Sequence, residues 1–529
     1  MPALPARPSL AAWAALALTL IIGFYTLTLF LAAGCVYVPF WLLRQDQGGV
    51  NAQIVLLLVG GVAMAGTLLW SVVPRREKFS APGPRLEPSL HPRLFAEVER
   101  LATALSEPPP QEVYLVPSVN AGVTERGGAM GFGSVRVMLL GLPLLQILTV
   151  SQFRAVLAHE FGHYYGGDTR LGPWVYKTRA AMVRSLLGLS QPNAALNMLT
   201  RVAVVRLAHY MVIKVLLAYW NLFLRITQSI SRRQEYRADE LACCATGARG
   251  LIEGLRRIHG AAAALPAYQN ELSQTLSAGY RPAIAEGFAR FMAAPAIAQA
   301  VSTQIEKDLK EKRTKPYDSH PPLRDRIARA RSLLPGEAPE NDPSAISLLE
   351  DVTGVELQML QHLNPKRNMA ELKTVSWENI GTDVWVPLWR RFAEDEAALL
   401  KGLTVSALPE AVKNLREMGS HIRDPKGMLL TPEQRAQRAG ALLGMAFGLA
   451  LIEAGWQLYA QPGESYFQHG ADKIDPFETV QRLAAGTLTG SDWLERSKAL
   501  GIDSLLLDQA KGPVATAGAQ HRGCIKQLQ

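Results

Sequence analysis

Hydrophobic residues are concentrated at the start of the chain. No Asp, Glu, Lys or Arg occurs between Arg7 and Arg44, nor again between Asp46 and Arg75. A helix needs roughly 20 apolar residues to cross a bilayer. Residues 11–34 and 53–73 each supply them, so the pattern predicts two spans joined by a short loop. Trp13, Tyr37, Trp41 and Trp70 lie near the ends of these segments, where interfacial aromatics gather. Pro39 is expected to end or kink the first helix. A cleaved signal sequence would have a shorter apolar core and no second span directly after it. Arg7 flanks one outer end of the hairpin, and Arg75, Arg76 and Lys78 flank the other. The connecting loop carries Arg44 beside Asp46. Counting basic residues puts both ends of the hairpin in the cytoplasm. Residues 1–78 thus read as a membrane hairpin.

The pattern then changes. Residues 79–93 contain Pro82, Pro84, Pro88 and Pro92 and read as a linker. An amphipathic helix is predicted at 94–105 and a strand at 111–119. A glycine-rich turn region at 120–133 is followed by an alternating strand at 134–139. Thr149, Ser151 and Gln152 mark the start of a helix from 152 to about 165, which Gly166-Gly167 ends. Residues 196–230 are strongly apolar but include Arg201, Arg206, His209, Lys214 and Arg225. Periodicity leaves open a third span with snorkelling cations and a long helix lying on the core or at the interface. The helix continues through 231–246. Helical character returns at 285–315, and a turn and helix occupy 317–333. A second linker is expected at 335–345. Residues 346–529 read as a mainly helical region without a catalytic signature. Within it, the uncharged run 439–452 is too short to span a bilayer and is expected to be buried.

At 529 residues the chain exceeds one hydrophobic core. A hydrophobic fraction of 48% and a mean hydropathy of +0.06 exclude a disordered chain. The net charge of +9 comes without a dense basic tail, so no nucleic-acid partner is expected. The four cysteines, Cys35, Cys243, Cys244 and Cys524, form neither a CxxC pair nor a disulfide ladder.

The chemistry-bearing segment is AVLAHEFGHYYGGD, residues 155–168. His159 and His163 are four apart, so a helix presents both imidazoles from one face. Two neutral imidazoles at that spacing can bind one zinc ion, and Glu160 can reach a water on it. One zinc per chain is therefore expected. A tetrahedral ion with one open position needs a third protein ligand. Glu235, Asp239, Glu240, His209, His259 and His320 are all candidates. In SRRQEYRADELA, residues 231–242, Glu235 and Asp239 share a helical face. One carboxylate can bind the metal while the other orients a ligand histidine.

HEFGHYYGGD, then EYRAD, then SHPPLRDR, in that order, resembles the M48 family of membrane-associated zinc metallopeptidases, which includes HtpX-like proteases and CAAX prenyl endopeptidases. The resemblance covers roughly 95–333. It implies an α+β fold with a mostly helical, zincin-like core and a small sheet, over about 94–334. It implies His159, His163 and Glu235 as metal ligands, Glu160 as general base, and Asp239 as hydrogen-bond partner of a ligand histidine. Asp168 matches an acidic residue past the second histidine. His320 and Arg326 match two cleft residues of the family. The many spans of the prenyl endopeptidases are absent here.

The expected function is a membrane-anchored zinc endopeptidase acting on polypeptides in quality control or processing. It would sit in an inner or plasma membrane, its catalytic domain facing the cytoplasm. The lipid bilayer is its other partner, and oligomeric state is open. The 134–139 strand is a candidate edge for extended substrate, with Gly131 and Gly133 permitting close approach. The alternatives are a non-proteolytic membrane scaffold on the same fold, and a zinc amidase acting on small substrates.

Overall fold

The computed structural model describes residues 11–45, 51–73, 79–127, 133–165, 168–190, 199–311, 318, 320–336, 340–424 and 430–508. The chain forms two compact units. One is Met1–His259 with Gln304–Val352, the other Gly260–Thr303 with Thr353–Gln529. Residues 260–303 thus cluster with the C-terminal region, although they fall inside the 94–334 stretch.

In the first unit the apolar segments are helices α1 (Ala11–Gln45) and α2 (Ala52–Val72), packed together. α1 continues through Pro39, so the helix does not end there. In a bilayer a chain finds partners for its backbone groups within its own helix, which favours tolerating one missing donor over breaking. A Cβ on Gly61 would lie 1.9 Å from the Cys35 carbonyl oxygen, so glycine allows the two backbones to touch.

Within the ambiguous stretch 196–230, residues 203–230 belong to one continuous helix, and 196–198 lie outside the described residues. α3 (Pro92–Ala104), α4 (Leu142–Ile147), α5 (Val150–Tyr165) and α6 (Asp168–Ser190) precede it, and it is α7 (Ala203–Thr246). Its 44 residues extend over about 66 Å. α7 is the third helix apolar and long enough to cross a membrane, with α1 and α2. Ser71 and Ser185 bring α2 and α6 together, their hydroxyl oxygens 2.5 Å apart. The Tyr219 hydroxyl donates to the Leu20 carbonyl at 2.7 Å, which holds α7 on α1.

β1 (Arg85–Leu86), β2 (Glu112–Val116), β3 (Ala121–Arg126) and β4 (Val135–Gly141) form one sheet in the order β1-β2-β4-β3. Two expectations are corrected here. The 120–133 region contains β3, a strand whose glycine-rich surroundings hide its pattern. The 134–139 strand is no edge: β4 pairs parallel with β2 and antiparallel with β3. The edge on that side is β3. Gly133 has φ +69 in the turn before β4, and Gly131 lies outside the described residues.

The expected second linker also carries structure. Val150 N–H donates to the Pro343 carbonyl at 2.9 Å, and Ala345 N–H to the Leu148 carbonyl at 2.8 Å. Asp342 accepts from the Ser151 N–H at 2.8 Å and from its hydroxyl. Residues 342–345 therefore cap the amino terminus of α5, satisfying donors that a helix leaves open.

α8 (Ala248–Ser277), α9 (Ile284–Ala293), α10 (Pro295–Lys310) and α11 (Leu323–Ala330) complete the middle of the chain. In the second unit β5 (Tyr280–Arg281) pairs with β6 (Lys373–Thr374). Its core surrounds the helix Pro432–Glu453, which buries Leu442, Leu443, Phe447 and Leu451 and starts with a Thr431/Gln434 capping box. The uncharged run 439–452 is thus inside a buried helix. A three-stranded antiparallel meander of β7 (Gln457–Gln461), β8 (Glu464–His469) and β9 (Asp472–Ile474) was not anticipated.

Candidate metal centre

α5 starts at its Thr149/Gln152 pairing and is almost wholly buried. Tyr164 fixes it over the sheet, its hydroxyl donating to the Val137 carbonyl at 3.0 Å. α7 lies against the other side. A Cβ on Gly162 would be 2.8 Å from Ala238 Cα. The missing side chain lets the two helices approach closely enough to share one site.

The approach brings one candidate third ligand to the histidines. His159, His163 and Glu235 each present a ligand atom, all within 4.8 Å of one another. His159 Nε2 is 3.6 Å from Glu235 Oε2, and His163 Nε2 is 3.8 Å from Glu235 Oε1. Ligand atoms around a tetrahedral zinc lie about 3.3 Å apart, so these separations fit a metal ion. The donor chemistry fits as well: Glu235 Oε2 is buried without a hydrogen-bond partner. A buried carboxylate oxygen in that state is stabilised by a cation.

The other predicted residues divide into near and far. Asp239 Oδ1 is 2.9 Å from His159 Nδ1. A proton on Nδ1 donated there leaves Nε2 free to ligate. Arg326, on α11, grips Asp239 from behind, with Nε to Oδ2 at 2.8 Å and Nη2 to Oδ1 at 2.6 Å. Its Nη1 is 3.4 Å from Glu235 Oε2. Burial pulls its pKa down, but the Asp239 and Glu235 carboxylates more than offset this and raise it. At 6% exposure Arg326 sits behind the ligands rather than facing an open cleft. His320 is solvent-exposed, with Nδ1 3.1 Å from Glu235 Oε1, and that contact raises its imidazole above the ordinary value. Glu160 is buried next to His159. The remaining candidates lie apart: His209 bonds the Leu189 carbonyl, His259 bonds the Leu255 carbonyl, and Glu240 is exposed. Asp168 begins α6, but its side chain is outside the described ones.

Two contributors were not identified from sequence. Gly162 stands in plain view inside HEFGH, but its role depends on a helix more than 70 residues later. Asp342 left no sequence signal beyond a turn-prone Asn-Asp-Pro, and its partner is 191 residues away.

Comparison with known proteins agrees with this geometry. The model for peptidase family M48 matches residues 88–334. A curated relative, a protease HtpX homolog of Aeropyrum pernix, is 29% identical over 257 residues, which cover 44% of this chain and 72% of the relative. With the helical hairpin, the zincin-like helical core, and the His/His/Glu cluster on α5 and α7, residues 88–334 are an M48-family peptidase domain, part of an integral membrane protein.

Proposed function

We propose that the chain is a membrane-anchored zinc endopeptidase, acting on unfolded or membrane proteins with its catalytic domain on the cytoplasmic side of an inner or plasma membrane. The convergence of His159, His163 and Glu235 beside Glu160 carries this reading. One zinc ion per chain, held by those three ligands, would supply Lewis acidity toward a water and a scissile carbonyl. Glu160 takes the proton of the attacking water and hands it to the leaving amine. Asp239 holds His159 in the tautomer that leaves Nε2 available, and Arg326 holds Asp239, so Arg326 is a positioning residue. His320, next to Glu235 and open to solvent, offers a donor to the developing oxyanion. Extended substrate adds to the β3 edge.

The test is proteolysis of unfolded casein by the full-length chain in detergent or vesicles. Cleavage is expected to stop with a chelator, return with zinc, and fall at least about 1000-fold in Glu160→Gln while zinc stays bound. Undiminished biological and biochemical behaviour in that variant would favour a scaffold.

A further inference from the structure

The segment from Thr169 to Gln234 contains ten Lys and Arg and no Asp or Glu, while the whole chain has a net charge of +9. This one segment holds the entire positive surplus. It contributes nothing to the metal ligands, yet it packs against the membrane hairpin. We propose that α6 and α7 form a binding surface for anionic phospholipid headgroups on the face of the bilayer that bears the catalytic domain. The proposal rests on reading α1 and α2 as membrane spans and goes beyond it by naming the headgroup class.

The depth of each residue follows from contacts to α2. The 21 residues of α2 span about 32 Å, close to the hydrocarbon thickness, so Ser71 in its last turn marks the polar boundary. Arg184 Nε donates to the Ser71 carbonyl at 3.1 Å and lies at that boundary. α6 runs antiparallel to α2 here: Ser185 meets Ser71, and a Cβ on Gly188 would be 2.9 Å from Thr67. Helical rise then puts Arg179 about 7 Å and Lys177 about 10 Å outside the boundary, within the headgroup layer. On α7, Val205 packs against Gly60 of α2. The two helices meet where the Arg179 guanidinium lies over the Trp220 ring, 5.8 Å from its centre.

These cations are built as a lipid surface builds them. Lys177, Arg179 and Lys214 are exposed, and each contacts an aromatic face: Trp174 at 5.9 Å, Trp220, and Tyr210 at 5.1 Å. Aromatic partners leave the charge unneutralised while anchoring the stem at interfacial depth. Next to them Leu187, Leu207 and Met211 are exposed apolar side chains that acyl chains would cover. Positive charge above and apolar surface below complement an anionic lipid from headgroup to tail. A soluble polyanion would match only the first.

The experiment compares spin-labelled phosphatidylglycerol with spin-labelled phosphatidylcholine around the full-length protein in mixed vesicles. The immobilised fraction is expected to favour phosphatidylglycerol by about threefold or more at about 50 mM NaCl, and the preference to shrink at about 500 mM. The triple variant Lys177→Gln, Arg179→Gln, Lys214→Gln should lose the preference while keeping its helical circular dichroism and zinc content. A control triple in the second unit, Lys401→Gln, Lys413→Gln and Lys498→Gln, should keep it. If the first triple does not fold, Lys177→Gln and Lys214→Gln singly should each lower it. Equal preference in variant and wild type overturns the proposal, as does no preference in the wild type. Abolition of the preference by inorganic phosphate also overturns it, in favour of a free-phosphate site. Carbonate extraction of the wild type tests the membrane reading separately: release would sink that reading, and retention with no lipid preference would sink only this proposal.

Discussion

Within the site, Glu235 and Asp239 are chemically similar and sit one helical turn apart, yet their surroundings separate their roles. Glu235 has Oε2 buried without a hydrogen-bond partner, 3.6 Å from His159 Nε2 and 3.4 Å from Arg326 Nη1, while its Oε1 is 3.8 Å from His163 Nε2. Asp239 has both oxygens committed to Arg326 and His159. Removing a direct ligand empties a metal site, whereas disturbing the residue behind a ligand lowers affinity or activity by about 10–100-fold. Glu235→Gln is therefore expected to lose zinc under mild chelation and show no turnover. Asp239→Asn should retain zinc with weak activity. Competitive chelator titration orders the two, and earlier loss in Asp239→Asn would exchange their roles. The histidines and their general base were legible in the sequence because HExxH encodes its geometry in local helical spacing. Spacing left six candidates for the third ligand, and only the resemblance pointed to Glu235 among them. The choice among them depends on which helix packs against α5, and local pattern carries no information about that.

Among the elements, the decisive contact is the crossing of α5 and α7. Gly162 sets its closeness, since any Cβ there meets Ala238 backbone at 2.8 Å. Gly162→Ala must push the helices apart, at a cost of about 1–3 kcal/mol in overpacking. Because His159 and His163 ride on one helix and Glu235 on the other, zinc affinity is expected to fall about tenfold or more. Gly254→Ala on α8 is the control: its Cβ would lie 3.7 Å from Gln152 and Val156, an ordinary contact. Zinc titration of both variants checks this, and equal affinities would remove Gly162 from the account. Element types were readable where periodicity was long and strong, as in α1, α2 and α5. β3 was not, because Gly122 and Gly127 weaken its strand pattern, and the identity of an edge strand is decided by pairing rather than by sequence. The C-terminal meander was missed for a related reason: its strands are three to six residues long.

For the molecule as a whole, the second unit holds the clearest pH-sensitive group. Glu271 accepts the Gly463 N–H at 3.2 Å, but its other oxygen is buried without a hydrogen-bond partner. Burial pushes its carboxyl up to about 7. The folded state therefore holds this proton more tightly than the unfolded chain does. The associated stability is full below about pH 4.5 and is lost as pH rises through about 7. Thermal unfolding from pH 5 to pH 8 should show a decline that Glu271→Gln reduces, and an identical decline in both proteins would contradict the assignment. α7 has a consequence of a different kind. One unbroken helix passes from the lipid-facing region to Glu235. About 30 Å of that helix separates Lys214, one of the proposed headgroup cations, from the ligand carboxylate. It acts mechanically as a lever arm. A bilayer of another thickness changes the tilt of an embedded helix, and a tilt of about 5° would move the far carboxylate by about 3 Å. Metal coordination tolerates only about 0.2 Å. On the proposal that α7 contacts lipid, acyl-chain length is expected to change zinc affinity at its far end, and zinc titration in vesicles of two chain lengths checks this.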